Sequence, residues 1–360
     1  TALYDCIVIG AGIQGSCTAY QLAKNQQKTL LLEQFVLPHS RGSSHGQTRV
    51  IRKTYEEDFY VQMMHESYEL WAQLEREAGV ELHRRTGLLV MGPENGEGFS
   101  RLKATMQRHK IPTVFLEKQE FSQHIPNVNL ADGNGALIDT FAGVLYADRA
   151  LRAVQVNKRM FQSCGGVIKD GEKVIDIRPG AEVTVTTDSG VYRGRSLVIT
   201  AGPWANTLLT HTGLQLPLKV VKINVCYWKE KIPGTYSVGQ SFPCFIAMEP
   251  KEGEYDIYGL PSNEYPGLMK VSDRRDAAFK RTGLIKAMAW WLTLWCSVSG
   301  LTCVILDYRS PKNENSVIIY SKFGPIIGKL LSQLAMGQVP SYDLSPFRIQ
   351  RFQSHARSSL

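Results

Sequence analysis

The chain has 360 residues, 43% hydrophobic and 21% charged, with a formal net charge of +8 and a pI near 9.0. This is an ordinary globular composition, long enough for two domains and a sizeable core. No Lys/Arg run exceeds two residues, which argues against a nucleic-acid arm and leaves an anionic cofactor or substrate as the use of the basic charge. The seven cysteines (6, 17, 164, 226, 244, 296 and 303) form no C-x-x-C pair, and there is no N-x-S/T sequon. That excludes a disulfide framework or zinc site as the plan of the chain, and a reducing compartment is expected.

Leu3 to Gly10 reads as a buried strand running into a glycine turn, so no secretory signal is expected. Gly10-Ala11-Gly12-Ile13-Gln14-Gly15 has the G-x-G-x-x-G spacing. Gly10 allows the tight turn, Gly12 lets backbone approach a pyrophosphate, and Gly15 lets the following helix pack closely on the strand. Ala19, Leu22 and Ala23 continue at helical spacing, and a second strand, Thr29 to Leu32, ends in Glu33. An acid at that distance accepts from a ribose hydroxyl and repels a 2′-phosphate. The pattern predicts a bound NAD or FAD rather than NADP.

His39 to Tyr55, "HSRGSSHGQTRVIRKTY", gathers Arg41, His45, Arg49, Arg52 and Lys53 among small residues where the chain leaves a strand edge. Taken alone it is either a solvated basic loop or the lining of an anion site. From Glu57 to Ala78 the spacing predicts a helix with Met63, Met64, Leu70, Trp71 and Leu74 as its apolar stripe. Ser196 to Gly202, "SLVITAG", returns to buried-strand character after a long stretch without βαβ rhythm. A nucleotide domain assembled from distant pieces points to a two-domain flavoprotein more than to an NAD domain. There is no G-x-S-x-G, and His65 lacks an H-E-x-x-H partner, so neither a hydrolase elbow nor a metal site is expected. Gly324 to Lys329, "GPIIGK", is one residue short of a P-loop and is followed by Leu.

Several motifs together are more specific than the glycine turn: "GAGIQG", "LPHSRGSSHGQTRVIRK", "EDFYVQMMHESYELWAQLE", "TGLLVMG", "SLVITAGPWAN", "DIYGLPSNEYPGLMKVS" and "PSYDLSPFRIQRF". On these the chain resembles the monomeric sarcosine oxidase family of amine-oxidising flavoproteins, from Tyr4 to Ser272 and again from about Val304. The resemblance implies an α/β fold, with a Rossmann-like FAD-binding domain and an antiparallel-sheet substrate domain. It implies residues 1–60, 145–215 and 304–345 for the first domain and 61–144 with 216–272 for the second. An atypical segment at 273–303 and a tail at 346–360 complete the division.

The resemblance also implies FAD with its pyrophosphate on Gly10 to Gly15 and its ribose on Glu33. Ile13, Gln14, Ser43, Ser44, His45, Arg49, Val174, Gly202 and Trp204 are the further cofactor residues. His45 and Arg49 would stand by the isoalloxazine ring, where fixed positive charge stabilises a reduced, anionic flavin. Arg52 matches the arginine that grips the substrate carboxylate, which a guanidinium fork binds through both oxygens. Lys322 aligns with a lysine that assists it, Tyr258 with a tyrosine lining the substrate cavity, and Lys270 with the lysine that promotes oxygen reduction. The implied reaction takes a secondary amino acid such as sarcosine or L-pipecolate, with O2, to an imine and H2O2. The implied state is a monomer without nucleic acid or membrane partners.

The resemblance fails after Ser272. The family's flavin-linking cysteine would fall near Leu294; Cys296 is the nearest thiol, in an unmatched context, and attachment stays open. A glycine-rich turn of the family is absent after Ile319. Ala287 to Leu306 is a run of 20 residues without a charge. By length it reads as a membrane span, a segment replaced by altered splicing or an imperfect gene model, or a divergent buried helix. An inactive form and a membrane-tethered flavoprotein are therefore the alternatives to the oxidase. Ser358-Ser359-Leu360 resembles the peroxisomal S-K-L signal without its basic middle residue, and a peroxisomal location is expected.

Overall fold

The computed structural model describes residues 2–125, 128–156, 161–162, 164–213, 221–248, 256–273, 294–299 and 321–347. Its early strands are β1 (Leu3–Ile9), β2 (Thr29–Glu33), β3 (Thr48–Ile51), β4 (His83–Arg85), β5 (Leu88–Pro93), β6 (Thr113–Leu116), β7 (Asn134–Asp139) and β8 (Gly143–Tyr146). There follow β9 (Val167–Asp170), β10 (Val174–Arg178), β11 (Val183–Thr187), β12 (Val191–Ile199), β13 (Val221–Lys229), β14 (Cys244–Ala247), β15 (Ile257–Tyr265), β16 (Leu268–Asp273) and β17 (Leu294–Ser299). Four helices matter below: α1 (Ile13–Lys24), α2 (Asp58–Ala78), α3 (Ala147–Val156) and α4 (Gly324–Ala335).

Six strands form one sheet in the order β10-β11-β12-β1-β2-β9. Its parallel part, β12, β1, β2 and β9, is covered on both faces, which is why Ile7, Val8, Leu30 and Leu32 are all fully buried. Each such side chain contributes about 1.5–3 kcal/mol by leaving water. The expected strand at Ser196 begins earlier, at Val191, because its first half also closes an antiparallel hairpin with β11.

Helix α1 follows the glycine turn and packs on α4. A Cβ on Gly328 would lie 2.6 Å from the Cys17 backbone, and one on Gly324 would lie 2.7 Å from the Ile13 side chain. The glycine spacing in "GPIIGK" is therefore a helix-packing device. Helix α2 starts one residue after the expected Glu57, which is its N-cap, and ends at Gly79 in the left-handed region (φ 62°). Met63, Met64, Trp71 and Leu74 are buried as the stripe requires.

The second sheet has eight strands in the order β17-β13-β16-β15-β14-β5-β7-β6, antiparallel except for the β14–β5 pair. A small sheet, β3-β8-β4, also holds Thr48 to Ile51. Of the three readings of residues 287–306, the membrane span and the buried helix do not fit the described part, and the altered segment is not tested by it. Leu294–Ser299 is a strand whose backbone pairs with Val221–Cys226 of β13, so its peptide groups are satisfied by a neighbour. The rest of that run lies outside the described residues. Among the described residues no helix is long and apolar enough to cross a membrane.

Candidate active site

At the carboxyl ends of β1, β2 and β12 an open cleft of about 1100 Å³, including its solvent-facing part, gathers pieces distant in sequence. Gly10, Gly12, Ile13, Gln14, Glu33, Ser43, Ser44, Val174, Gly202 and Trp204 all line it. Gly15, His45 and Arg49 lie outside that lining.

The turn at its floor tolerates only glycine. Gly10 has φ +100°, and a Cβ there would strike the Thr200 carbonyl. A Cβ on Gly15 would run into the Gly10 carbonyl oxygen and the Thr200 hydroxyl. Gly12 is the N-cap of α1 and brings no side-chain cap, while Ser44 Oγ accepts from the Ile13 N–H at 3.0 Å. The end of the helix thus presents backbone N–H groups and the positive end of its dipole towards the cleft.

Glu33 is buried beside it and does two jobs. Its Oε2 accepts from the Ala11 N–H at 2.8 Å and its Oε1 from the Phe35 N–H at 3.1 Å, which locks β2 to the glycine turn. Each oxygen retains a second lone pair for a ligand hydroxyl. Arg41 stacks over Phe35 (4.6 Å to the ring centroid), and Phe35 meets Trp204 edge-on at 5.5 Å, forming a cationic, aromatic wall. Gln14 is only 3% exposed, yet neither atom of its amide has a hydrogen-bond partner among the described residues. Such an orphaned amide, next to a helix end and a carboxylate, fits a polar dinucleotide in the cleft. These residues suit FAD.

Arg49 uses its donors on the chain around it. Its guanidinium donates to the carbonyls of Thr48 (2.8 Å), Ser43 (3.1 Å) and His45 (2.7 Å), so it fixes the loop that carries Ser43 and Ser44. His45 is held below its usual pKa by burial and by the Arg49 charge.

A second cluster lies around Tyr55. Arg52 Cζ is 4.5 Å and Lys322 Nζ 5.2 Å from the Tyr55 ring centroid. Lys322 sits in a short 3-10 turn, Ser321–Phe323, whose Lys322 carbonyl accepts from Ser67 Oγ (2.6 Å) and Trp71 Nε1 (2.8 Å) of α2. Those two bonds place the lysine's turn against α2. Burial, then the Arg52 charge, drives the Lys322 amine well below its usual pKa. Behind Arg52 the buried Asp139 carboxylate accepts from Lys53 N (3.1 Å) and Thr54 Oγ1 (2.5 Å), which anchors this strand end. Glu57, unmarked in the sequence except as a helix start, has its carboxyl pushed up to about 7 by burial and by Glu56.

Lys270 lies on β16, opposite Tyr227 of β13 and Leu260 of β15; Tyr258 is opposite Ser272. Two-residue alternation therefore sets Lys270 and Tyr258 on one face of the sheet. The Lys270 amine donates to Thr48 O at 3.1 Å and to Glu264 Oε1 at 3.0 Å. Burial, then Arg49, lowers it to about 8. Burial alone would raise the Glu264 carboxyl, but Lys270 and the hydroxyls of Thr48 and Tyr227 hold it below its usual value. Nothing in the spacing around Glu264 marks it for a role in the sequence.

The FAD dependent oxidoreductase family profile matches residues 5–275. The chain is 46% identical to peroxisomal sarcosine oxidase of Homo sapiens, covering 99% of this chain and 98% of that protein. It is 33% identical to monomeric sarcosine oxidase of Bacillus sp. (strain B-0618), covering 97% and 96%. Among solved structures, the amino acid oxidase NikD superposes with a TM-score of 0.78 at 22% identity, covering 97% of this chain and 98% of that one. Glycine oxidase from Geobacillus kaustophilus gives 0.74 at 18% identity, covering 98% and 99%. The last two show the shared fold. The chain belongs to the FAD dependent oxidoreductases and, within them, to the sarcosine oxidase family.

Proposed function

We propose that this protein oxidises a secondary α-amino acid, N-methylated or cyclic, to its imine and passes the electrons to O2, giving H2O2. The observation that carries the reading is the convergence of the basic side chains of Arg52 and the buried Lys322 on Tyr55. The fork of Arg52 fits a carboxylate, and the amine of Lys322 supplies a further donor beside it.

Gly10 to Gly15, Gln14, Glu33, Ser43, Ser44 and Trp204 would hold FAD, which supplies the hydride acceptor when bound. Arg52 and Lys322 take the carboxylate and orient the amine-bearing carbon. Tyr258, on the same sheet face as Lys270, would help to exclude water. Lys270, charged below about pH 8, stabilises negative charge developing on O2. The six-stranded sheet belongs to a cofactor domain drawn from residues 1–60, 145–215 and 304–345. Seven strands of the eight-stranded sheet belong to a substrate domain drawn from 61–144 and 216–272, and the eighth, β17, comes from the 273–303 segment.

The flavin's attachment rests on chemistry of the thiols. Burial pushes Cys6 to about 11 and Cys244 to about 12, and raises Cys17 as well, so all three stay protonated and unreactive. Cys296, on β17 opposite Asn224, is the candidate if a thioether exists. A peroxisomal site of action and a monomeric state accord with the names of the relatives.

The test is the visible spectrum of the purified protein, before and after anaerobic L-pipecolate or sarcosine, followed by acid precipitation. A flavin spectrum that bleaches with substrate supports the oxidase; a colourless protein, or a flavin that neither amine bleaches, overturns it. Yellow in the acid pellet identifies covalent flavin, and yellow in the supernatant identifies free FAD.

A further inference from the structure

Glu264 is an ionisable group whose side chain is only 4% exposed. Its carboxylate accepts from Lys270 Nζ at 3.0 Å, from Thr48 Oγ1 and from Tyr227 OH. Those donors come from three different strands, β16, β3 and β13. The Thr48 carbonyl in turn accepts from both Lys270 (3.1 Å) and Arg49 (2.8 Å). A buried carboxylate with three donors is a fixed object. Among the described residues, its removal would leave Lys270 beside Arg49 with no other carboxylate bonded to the amine.

We propose that Glu264 is a positioning residue for Lys270: it supplies the counter-charge of the ammonium and pins it against the Thr48 carbonyl. This rests on the reading of Lys270 as the oxygen-facing cation. The ionisable and charged groups around the amine are Arg49 on β3, Tyr227 on β13, and Glu264 with Tyr265 on β15. Arg49 disfavours the ammonium and Glu264 favours it. Burial and Glu264 keep Tyr227 far above its ordinary value, hence neutral and donating, and Tyr265 packs edge-on against it at 5.0 Å. The titrating balance at Lys270 is therefore set by burial first, and then by one cation and one anion. Neutralising the anion moves the lysine's titration to lower pH.

Two readouts test this in the FAD-loaded protein. The first is NMR titration of selectively labelled lysine side chains, with Lys270 assigned by its loss in Lys270→Met. A midpoint near 8 is expected in the parent chain, with a fall of about one pH unit or more in Glu264→Gln. Glu264→Asp, which keeps the charge but withdraws it by one methylene, should lie between; it also serves if the glutamine variant fails to fold.

The second readout is reoxidation by O2 after dithionite reduction, as a function of pH. The rate should drop as pH rises through the same midpoint, and the drop should move down with Glu264→Gln. If Lys270→Met reoxidises at the parent rate, the role of Lys270 falls and this proposal with it. If Lys270→Met is slow but the Glu264 variants leave both midpoints unmoved, Lys270 keeps its role and Glu264 loses the one proposed.

Discussion

At the floor of the cleft beyond β1 the glycine turn from Gly10 to Gly15 is set by close backbone packing, with Thr200 as its distant contact. Around Tyr55 and Lys270 the site is made of side chains, brought together from positions up to 270 residues apart. Arg52 and Lys322 meet over one ring, and Thr48 meets Glu264 and Lys270. The first region works by exclusion, since Gly10 and Gly15 leave no room for a Cβ. The second works by charge held out of water. A backbone site fails by steric insult to the fold, whereas a charge site fails in binding or rate while the fold survives. Substitutions in the two regions should separate along that line.

The largest effect is expected from Gly15→Val. With the Gly10 carbonyl and Thr200 hydroxyl in the way of the new side chain, the purified protein should carry no flavin, measured as the visible-to-280 nm absorbance ratio. Next comes Arg52→Met, which should keep the flavin spectrum. Losing a charge-assisted, two-point contact should cut kcat/KM for the preferred amine by roughly 100-fold.

Lys322→Met sharpens the contrast, because it leaves the glycine turn untouched. The variant should keep its flavin spectrum while its affinity for a competitive carboxylate weakens by roughly 10-fold. An unchanged affinity would remove Lys322 from the carboxylate site. The smallest effect is expected from Glu33→Gln. The neutral amide keeps one of the two acceptors used by the Ala11 and Phe35 N–H groups, and FAD affinity should drop by about 3- to 10-fold, read by fluorescence on rebinding.

Much of the first region was legible in advance. The strand, the glycine turn, the acid ending the second strand and the apolar stripe of α2 are local patterns, and each lies where its spacing placed it. Their register follows from steric rules that act over a few residues. The resemblance to a family supplied Arg52, Tyr258, Lys270 and Lys322, but not how each is held. Lys322 depends on two bonds from α2 to its carbonyl. Arg49, expected along the cofactor, uses its donors on loop carbonyls. The run from 287 to 306 misled for a related reason. Its lack of charge resembled a helix or span, yet its described part pairs as an edge strand with β13.

By itself the sequence determined the glycine turn, its acid and the class of cofactor they suit, because those requirements are local and leave few alternative residues. Only the tertiary structure decided which charges face one another. Coulomb energies and desolvation depend on separations in space, and Thr48, Glu264 and Lys270 become neighbours only once three strands have paired.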